Sequence, residues 1–305
     1  MPELPEVETI RRELAKVLPG KTIKGFDVRL PKVFQVAGPE GSKRLLGAKV
    51  VSVNRRGKLL SFELSTGVTL AIHLKMTGQL IYRAHSKVVL AGGHPIPTVT
   101  GELPSKVTHA VFTFAGGSEL FFNDLRQFGY IKMLPTEDFP TLPLMHSYGP
   151  EPLDRKFTYQ VFEDRLKRRP TAKLKPLLLD QTFIAGLGNI YVDESLNLAR
   201  LHPLRIAGSL TPAQRRGLYD AIRTILKLAI KHQGTSDNTF VSITGGKGDY
   251  LKHARAYHRT DLPCRKCGTP IRRMVVAGRG THYCPRCQRL PRSRTSVKRD
   301  TIRKR

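Results

Sequence analysis

Hydrophobic and polar positions change period twice along this 305-residue chain. At the start, Val7, Ile10, Leu14, Val17 and Leu18 recur at helical spacing, which predicts an amphipathic helix with Pro5 in its first turn. From 21 to 83 apolar and polar residues alternate. The run "AKVVSVNRRGKLLSFELSTGVTLAIHLKMTGQLIYR" reads as several strands joined at Arg56-Gly57, Ser65-Thr66-Gly67 and Thr77-Gly78. "THAVFTFAGGSELFFND" predicts one more hairpin, turning at Ala115-Gly116-Gly117-Ser118. Between these blocks, 84–108 carries Gly, Pro and Ser with little periodicity and is expected to be a long exposed loop. Five prolines in 135–153 mark a linker. Helical periodicity then returns over 158–169, 171–181, 189–200 and 211–232.

This order, strands first and helices after, suits a chain long enough for two cores. Charge narrows its partners. Lys and Arg number 52 against 24 Asp and Glu, a net +28, which points to a polyanion and most simply to nucleic acid. Ribosomal and chromatin proteins share such charge but are usually shorter and poorer in strand patterns. No apolar run approaches the ~18 residues of a membrane span, and the N-terminus lacks a secretory layout. A cytoplasmic protein is expected, with no membrane partner. The tail 289–305 holds eight Lys or Arg and one Asp. It is expected to be disordered in isolation, either a solvated end or an added attraction for phosphate.

All four cysteines lie in one short segment: Cys264-x-x-Cys267, sixteen residues, then Cys284-x-x-Cys287. Each pair can present two thiolates to one tetrahedral ion, and four thiolates leave no position for a reactive water. The expectation is one structural zinc. Two disulfides would use the same residues but do not suit a reducing compartment. Between the pairs, Arg279 stands between Gly278 and Gly280 at the expected hairpin tip, where a basic side chain can approach a phosphate closely.

Other signals are weak one by one. In "LLLDQTFIAGLGNIYVDESL", Gly186 and Gly188 precede Asn189, read as an N-cap, so the loop could hold a phosphate or serve only to turn the chain. Lys58 follows a turn; Met76 stands beside one. Arg126 and Phe128 lie two apart before Gly129. Met and Phe are among the side chains that wedge into base stacks. The opening "MPELPEVETIRREL" puts Glu3, Glu6 and Glu8 at the start of a very basic chain. Acidic residues there complement a helix dipole, which is a sufficient reading of Glu8.

Taken in order, PELPEVETIRREL, RRGKLL, HLKMTG, NDLRQFG, DQTFIAGLGNIYVDE and GRGTHYCPRCQ resemble the bacterial formamidopyrimidine-DNA glycosylase family over nearly all of residues 1 to 288. Leu4 stands where the sister endonuclease VIII family typically has glycine. The resemblance implies an α+β fold of two domains: an N-terminal β-sandwich with flanking helices (1–134), a linker (135–153), a helix-two-turn-helix domain (154–260) and a zinc-finger hairpin held by the four cysteines (261–288). It implies a glycosylase and abasic-site lyase that excises oxidised purines from duplex DNA, acting as a monomer near the bacterial nucleoid. No redox or organic cofactor is implied. Pro2, freed of Met1, would be the nucleophile and Glu3 the acid/base, with Glu6 fixing the N-terminal region. Lys58 would contact phosphate and assist base loss. Asn189 and Arg279 would grip the backbone. Met76, Arg126 and Phe128 would fill the void, Arg126 meeting the orphaned cytosine. Thr235, and the Gly248-Asp249-Tyr250 run, depart from common family residues near the base-capping loop at 234–250, and Lys75 replaces a small residue. Preference for oxidised pyrimidines, or DNA binding without catalysis, are the alternatives.

Overall fold

In the computed structural model, which describes residues 1–36, 42–93, 102–235 and 248–290, one helix decides how the two halves meet. This helix, α1 (Leu4–Val17), contributes to two cores. Leu4 packs with Phe162, Leu187 and Tyr191 among the helices. Val7, Ile10, Leu14 and Leu18 pack against the strands. The helical period places the later residues on one stripe, while Leu4 leads that stripe into the neighbouring core.

The strands are β1 (Ile23–Val28), β2 (Phe34–Val36), β3 (Val50–Arg56), β4 (Leu59–Leu64), β5 (Val68–His73), β6 (Gly78–Ala84), β7 (Lys87–Gly93), β8 (Thr108–Phe114), β9 (Glu119–Asp124) and β10 (Tyr130–Pro135). They form two five-stranded sheets, ordered β1-β8-β9-β6-β7 and β2-β10-β5-β4-β3. Phe34, Phe62, Phe112 and Phe122 meet in the core with the stripe of α1. The hairpins at Gly57-Lys58, 65–67 and 115–118 fall as the sequence suggests. The segment before Gly78 is different: it carries the chain from β5 in one sheet to β6 in the other.

Two readings change. Residues 87–93 are not loop but β7, paired with β6, with Leu90 and Ala91 buried. Flanking Gly, Pro and Ser masked the short apolar run Val88–Ala91. Residues 94–101 lie outside the described set, as do 236–247 of the base-capping region and 291–305 of the tail. The proline-rich stretch after β10 includes α2 (Pro143–Ser147) and is packed, not free. Its Phe139, Leu142, Leu144 and Met145 cover Leu59, Ala71 and Leu134 on the outer face of one sheet.

The second half comprises α3 (Tyr159–Lys167), α4 (Leu174–Leu179), α5 (Asn189–Leu198), α6 (Pro212–Lys231) and the short α7 (Tyr250–His253). In α6, Thr211 and Gln214 form a reciprocal capping box and Pro212 opens the helix. Leu218, Ile222, Ile225 and Ala229 supply its buried stripe. A final hairpin, β11 (Arg272–Val276) and β12 (Arg279–Tyr283), turns at Ala277 and Gly278, both at positive φ, as a two-residue turn requires. No helix among the described residues is long and apolar enough to cross a membrane.

Glu8 is more than a helix-dipole residue. Its carboxylate accepts from Arg11, Arg12 and Arg55 at 2.8–3.0 Å. Burial would raise its pKa, but these three guanidinium groups outweigh it and hold the value at about 2. The folded pKa is depressed, so the stability it gives is complete above the ordinary value of 4.5 and is lost as pH falls towards about 2. Glu8→Gln should flatten this acid limb in denaturant titrations across that window; an unchanged slope would show that the cluster gives no pH-linked stability.

Candidate functional site

The helical half receives the N-terminus at the loop before α5. Leu4 N–H donates to Gly186 O at 3.0 Å. Glu3 accepts from the N–H groups of Ile190 (3.0 Å) and Tyr191 (3.4 Å), so its carboxylate sits on the N-terminus of α5. Only glycine permits this approach. A Cβ at Gly188 would lie 2.2 Å from Glu3 Cδ, and one at Gly186 2.6 Å from Leu4 Cδ1. The glycines therefore make room for the N-terminal turn. Gly188, not Asn189, is the N-cap; Asn189 is the first helical residue, and its Nδ2 donates to Gly280 O of the final hairpin at 2.9 Å.

A cavity of about 520 Å³ opens at this junction. Its lining includes Glu3, Lys58, Met76, Asn189 and Arg279, with Met1 at the rim and Tyr257 on one wall. Five predicted site residues from five separate chain segments thus face one space. Pro2 is buried directly behind Met1. Glu6 is the clasp: it accepts from Glu3 N–H (2.9 Å), from Thr235 N–H (2.7 Å) and hydroxyl (3.0 Å), and from the Tyr191 hydroxyl.

Charges in the cavity are strained towards neutrality. Burial raises the pKa of Glu3, although Lys58 and the α5 N–H groups oppose it. Burial lowers that of Lys58, with Arg279 adding to the effect and Glu3 and Glu6 opposing it. An acid made weaker beside a base made weaker is an arrangement suited to proton exchange. His73, at the end of β5 opposite Leu59, is pushed down to about 3 by burial and the nearby Lys75 and Lys58. Its Nδ1 accepts from Lys75 N–H at 2.9 Å, which leaves the proton of the neutral ring on Nε2 as a donor. Sequence reasoning passed over His73, although it opens the quoted HLKMTG motif.

Sequence reasoning also missed what holds Lys58. Arg55 makes a bidentate pair with Glu151, both contacts 3.0 Å, and Glu151 also accepts from Gly57 N–H. The Tyr148 ring fills the space where a Gly57 Cβ would fall, 2.7 Å from its Cε2. The end of the proline-rich stretch thereby grips the turn that presents Lys58. Nothing in the order of residues linked Glu151 to a turn more than ninety positions earlier.

Arg126 and Phe128 sit on the loop after β9. The Arg126 guanidinium lies 4.8 Å from the centre of the exposed Phe128 ring. Phe128 lines a recess of about 500 Å³ with Lys75 and Tyr130, which shares Met76 with the first cavity. Asp124 shapes this loop: it accepts from the Thr77 hydroxyl, beside Met76, and from the N–H groups of Arg126 (3.2 Å) and Gly129 (2.6 Å). The three void-filling candidates are thus tied to one buried carboxylate.

The final hairpin is pinned to α5. Lys175 and Asp193, both fully buried, pair at 2.6 Å, and Asp193 also accepts from His282 N–H at 2.8 Å. Glu194 accepts from three successive N–H groups, Arg255 to Tyr257, at 2.7–2.8 Å. The Sγ atoms of Cys264, Cys267, Cys284 and Cys287 all lie within 4.8 Å of one another, Cys267 and Cys284 at 3.5 Å. Four thiolates about 2.3 Å from one ion stand roughly 3.8 Å apart, so the set fits one tetrahedral zinc and no disulfide is formed. Zinc there would fix the hairpin that carries Arg279.

Three family models match the chain: the formamidopyrimidine-DNA glycosylase N-terminal domain over 1–131, its H2TH domain over 148–241, and the zinc finger found in FPG and IleRS over 261–290. The formamidopyrimidine-DNA glycosylase of Pelotomaculum thermopropionicum is 44% identical over 293 residues, covering 95% of this chain and 100% of that protein. The Lactococcus lactis protein in complex with abasic-site DNA superposes with a TM-score of 0.81 at 36% identity, covering 94% of this chain and 100% of the other. A variant of that protein bound to DNA containing Fapy-dG gives 0.82 at 35%, covering 95% and 100%.

Two expectations follow from the geometry. Glu151→Gln should lower excision rate at least ~10-fold while leaving the zinc content unchanged, because the Lys58 turn loses its charged grip; a wild-type rate would remove Glu151 from the positioning of Lys58. Cys264→Ser should release zinc and weaken DNA binding, read by metal analysis and gel shift; full zinc content would refute the four-thiolate site.

Proposed function

The chain belongs to the formamidopyrimidine-DNA glycosylase family, and from that premise we propose how its own residues carry the reaction. The protein is a DNA glycosylase and abasic-site lyase of base excision repair. Its substrate is duplex DNA with oxidised purines such as 8-oxoguanine and formamidopyrimidines, or with abasic sites. The observation that supports the residue assignments is the convergence of Glu3, Lys58, Met76, Asn189 and Arg279 on one cavity, whose lining also includes Met1, so that buried Pro2 stands in the chain between two lining residues.

A base inside a duplex is out of reach, so the nucleotide must be extruded into the cavity. Asn189, Lys58 and Arg279, the first strand residue after the hairpin turn, supply donors for the flanking phosphates, and His73, close enough to Lys58 to feel its charge, offers a neutral Nε2–H. Met76, Phe128 and Arg126 occupy the emptied stack and offset part of a few kcal/mol of lost stacking. The guanidinium of Arg126 supplies donors for the orphaned base. The basic surface gives salt-dependent affinity for any duplex.

Removal of Met1 makes Pro2 a secondary amine. An α-amino group titrates near ~8 and lysine near ~10.4, so far more of the former is unprotonated at neutral pH. Its lone pair attacks C1′, and the C1′–N bond to the base breaks with its electrons leaving on the base, which takes a proton. Glu3, held with a raised pKa, gives a proton to the ring oxygen as the sugar opens. The resulting cationic iminium draws electrons from C2′, whose proton is lost as the 3′ phosphate leaves. A second elimination releases the 5′ phosphate, and a one-nucleotide gap remains. Zinc at the four thiolates serves structure only. The division into a catalytic sandwich (1–134), a helix-two-turn-helix domain (154–260) and a zinc hairpin (261–288), acting as a monomer at the bacterial nucleoid, completes the proposal.

Borohydride trapping tests it. The Met1-processed protein with an 8-oxoguanine:cytosine duplex should yield an adduct that maps to Pro2, in preference to undamaged and oxidised-pyrimidine duplexes. Pro2→Gly should reduce trapping severely. Wild-type trapping in that variant would remove Pro2 from its role, and preference for the pyrimidine duplex would reassign the substrate.

A further inference from the structure

Outside the lining of the DNA-facing cavity, three metal-binding side chains converge where α6 ends and α7 begins. His232 follows the last residue of α6, Asp249 precedes α7, and His253 ends it. One ligand atom from each lies within 4.8 Å of the others. His232 Nδ1 is 2.7 Å from Asp249 Oδ1. The imidazoles of His232 and His253 stand 3.8 Å apart between centres, tilted by 37°. The backbone fixes this set independently: Asp249 N–H donates to His232 O at 3.0 Å, Tyr250 N–H to Gly234 O at 3.2 Å, and Thr235 bridges to Asp249. Lys252 takes the other side of Asp249, 3.9 Å from Oδ2, which leaves Oδ1 turned to the histidines.

Two imidazoles and a carboxylate are the donor set of Zn²⁺, Ni²⁺ and Co²⁺ sites. Two cis ligands about 2.1 Å from one ion stand roughly 3 Å apart, close to the 2.7 Å between His232 and Asp249. A hydrogen bond accounts for that pair alone; the second imidazole laid over the first is what completes a ligand set. We propose that His232, Asp249 and His253 form a second divalent transition-metal site, separate from the four thiolates and open to solvent. Three protein ligands leave positions for water. Occupancy would tie the end of α6 to α7 beside Thr235, whose N–H and hydroxyl hold Glu6.

The test uses full-length protein with zinc in its thiolate site, dialysed free of loosely held metal and titrated with Ni²⁺ by calorimetry. One nickel equivalent should bind with roughly micromolar affinity. His232→Asn and His253→Asn should each weaken it by at least ~100-fold while keeping one zinc and the wild-type circular dichroism spectrum. His258→Asn, outside the set, should bind nickel as wild type does. No nickel equivalent in wild type, wild-type affinity in both histidine variants, or equal loss in His258→Asn would each overturn the site.

Discussion

The cleft depends on one close approach: the first turn of α1 against the backbone of the loop before α5. Gly186 and Gly188 have no side chains there because Leu4 and Glu3 occupy the space. The same contact satisfies two otherwise open N–H groups of α5 with the Glu3 carboxylate. It also sends Leu4 into one core while the rest of α1 serves the other. Shifting this turn would move Pro2, Glu3 and the relation of the two halves together. Rigidity across the cleft and placement of the chemistry are therefore one property.

Around this docking, buried charges act as fasteners more than as sources of net stability. Desolvation offsets much of the attraction in a fully buried pair such as Lys175–Asp193, while losing one partner would leave an uncompensated buried charge. Through Asp193 it reaches the backbone of His282, and Asn189 reaches Gly280, so the hairpin bearing Arg279 is held to α5 at several points. Glu151 does the same for the turn of Lys58, and Asp124 for the loop of Arg126 and Phe128. Glu151, Asp193 and, through the Thr77 hydroxyl, Asp124 each join segments far apart in sequence and hold a backbone stretch that carries candidate site residues.

Desolvation then sets the chemistry. Glu3 and Lys58 are buried near each other, and each loses part of its preference for the charged form. Had either been exposed, water would screen the pair and the ordinary pKa values would return. His73, neutral for the same reason, can donate from Nε2 without adding charge to a crowded basic site.

Residue order alone determined the types of element, the four-thiolate set and, through ordered motifs, the family and the site candidates. These are local: helical and strand periods, Cys-x-x-Cys spacing and turn glycines are each written within a few neighbouring residues. The sequence reading failed where local signals were diluted, as at β7, whose apolar run is short and bordered by Gly, Ser and Pro. It left open why Gly186 and Gly188 are glycines, placed the N-cap one residue late and took Glu8 for a dipole residue. Only tertiary structure decided that Lys58 is buried, that Glu151 and Asp124 position other residues, and that His232, Asp249 and His253 meet. Burial and long-range hydrogen bonding depend on which distant segments share a core, and no spacing along the chain encodes that distance.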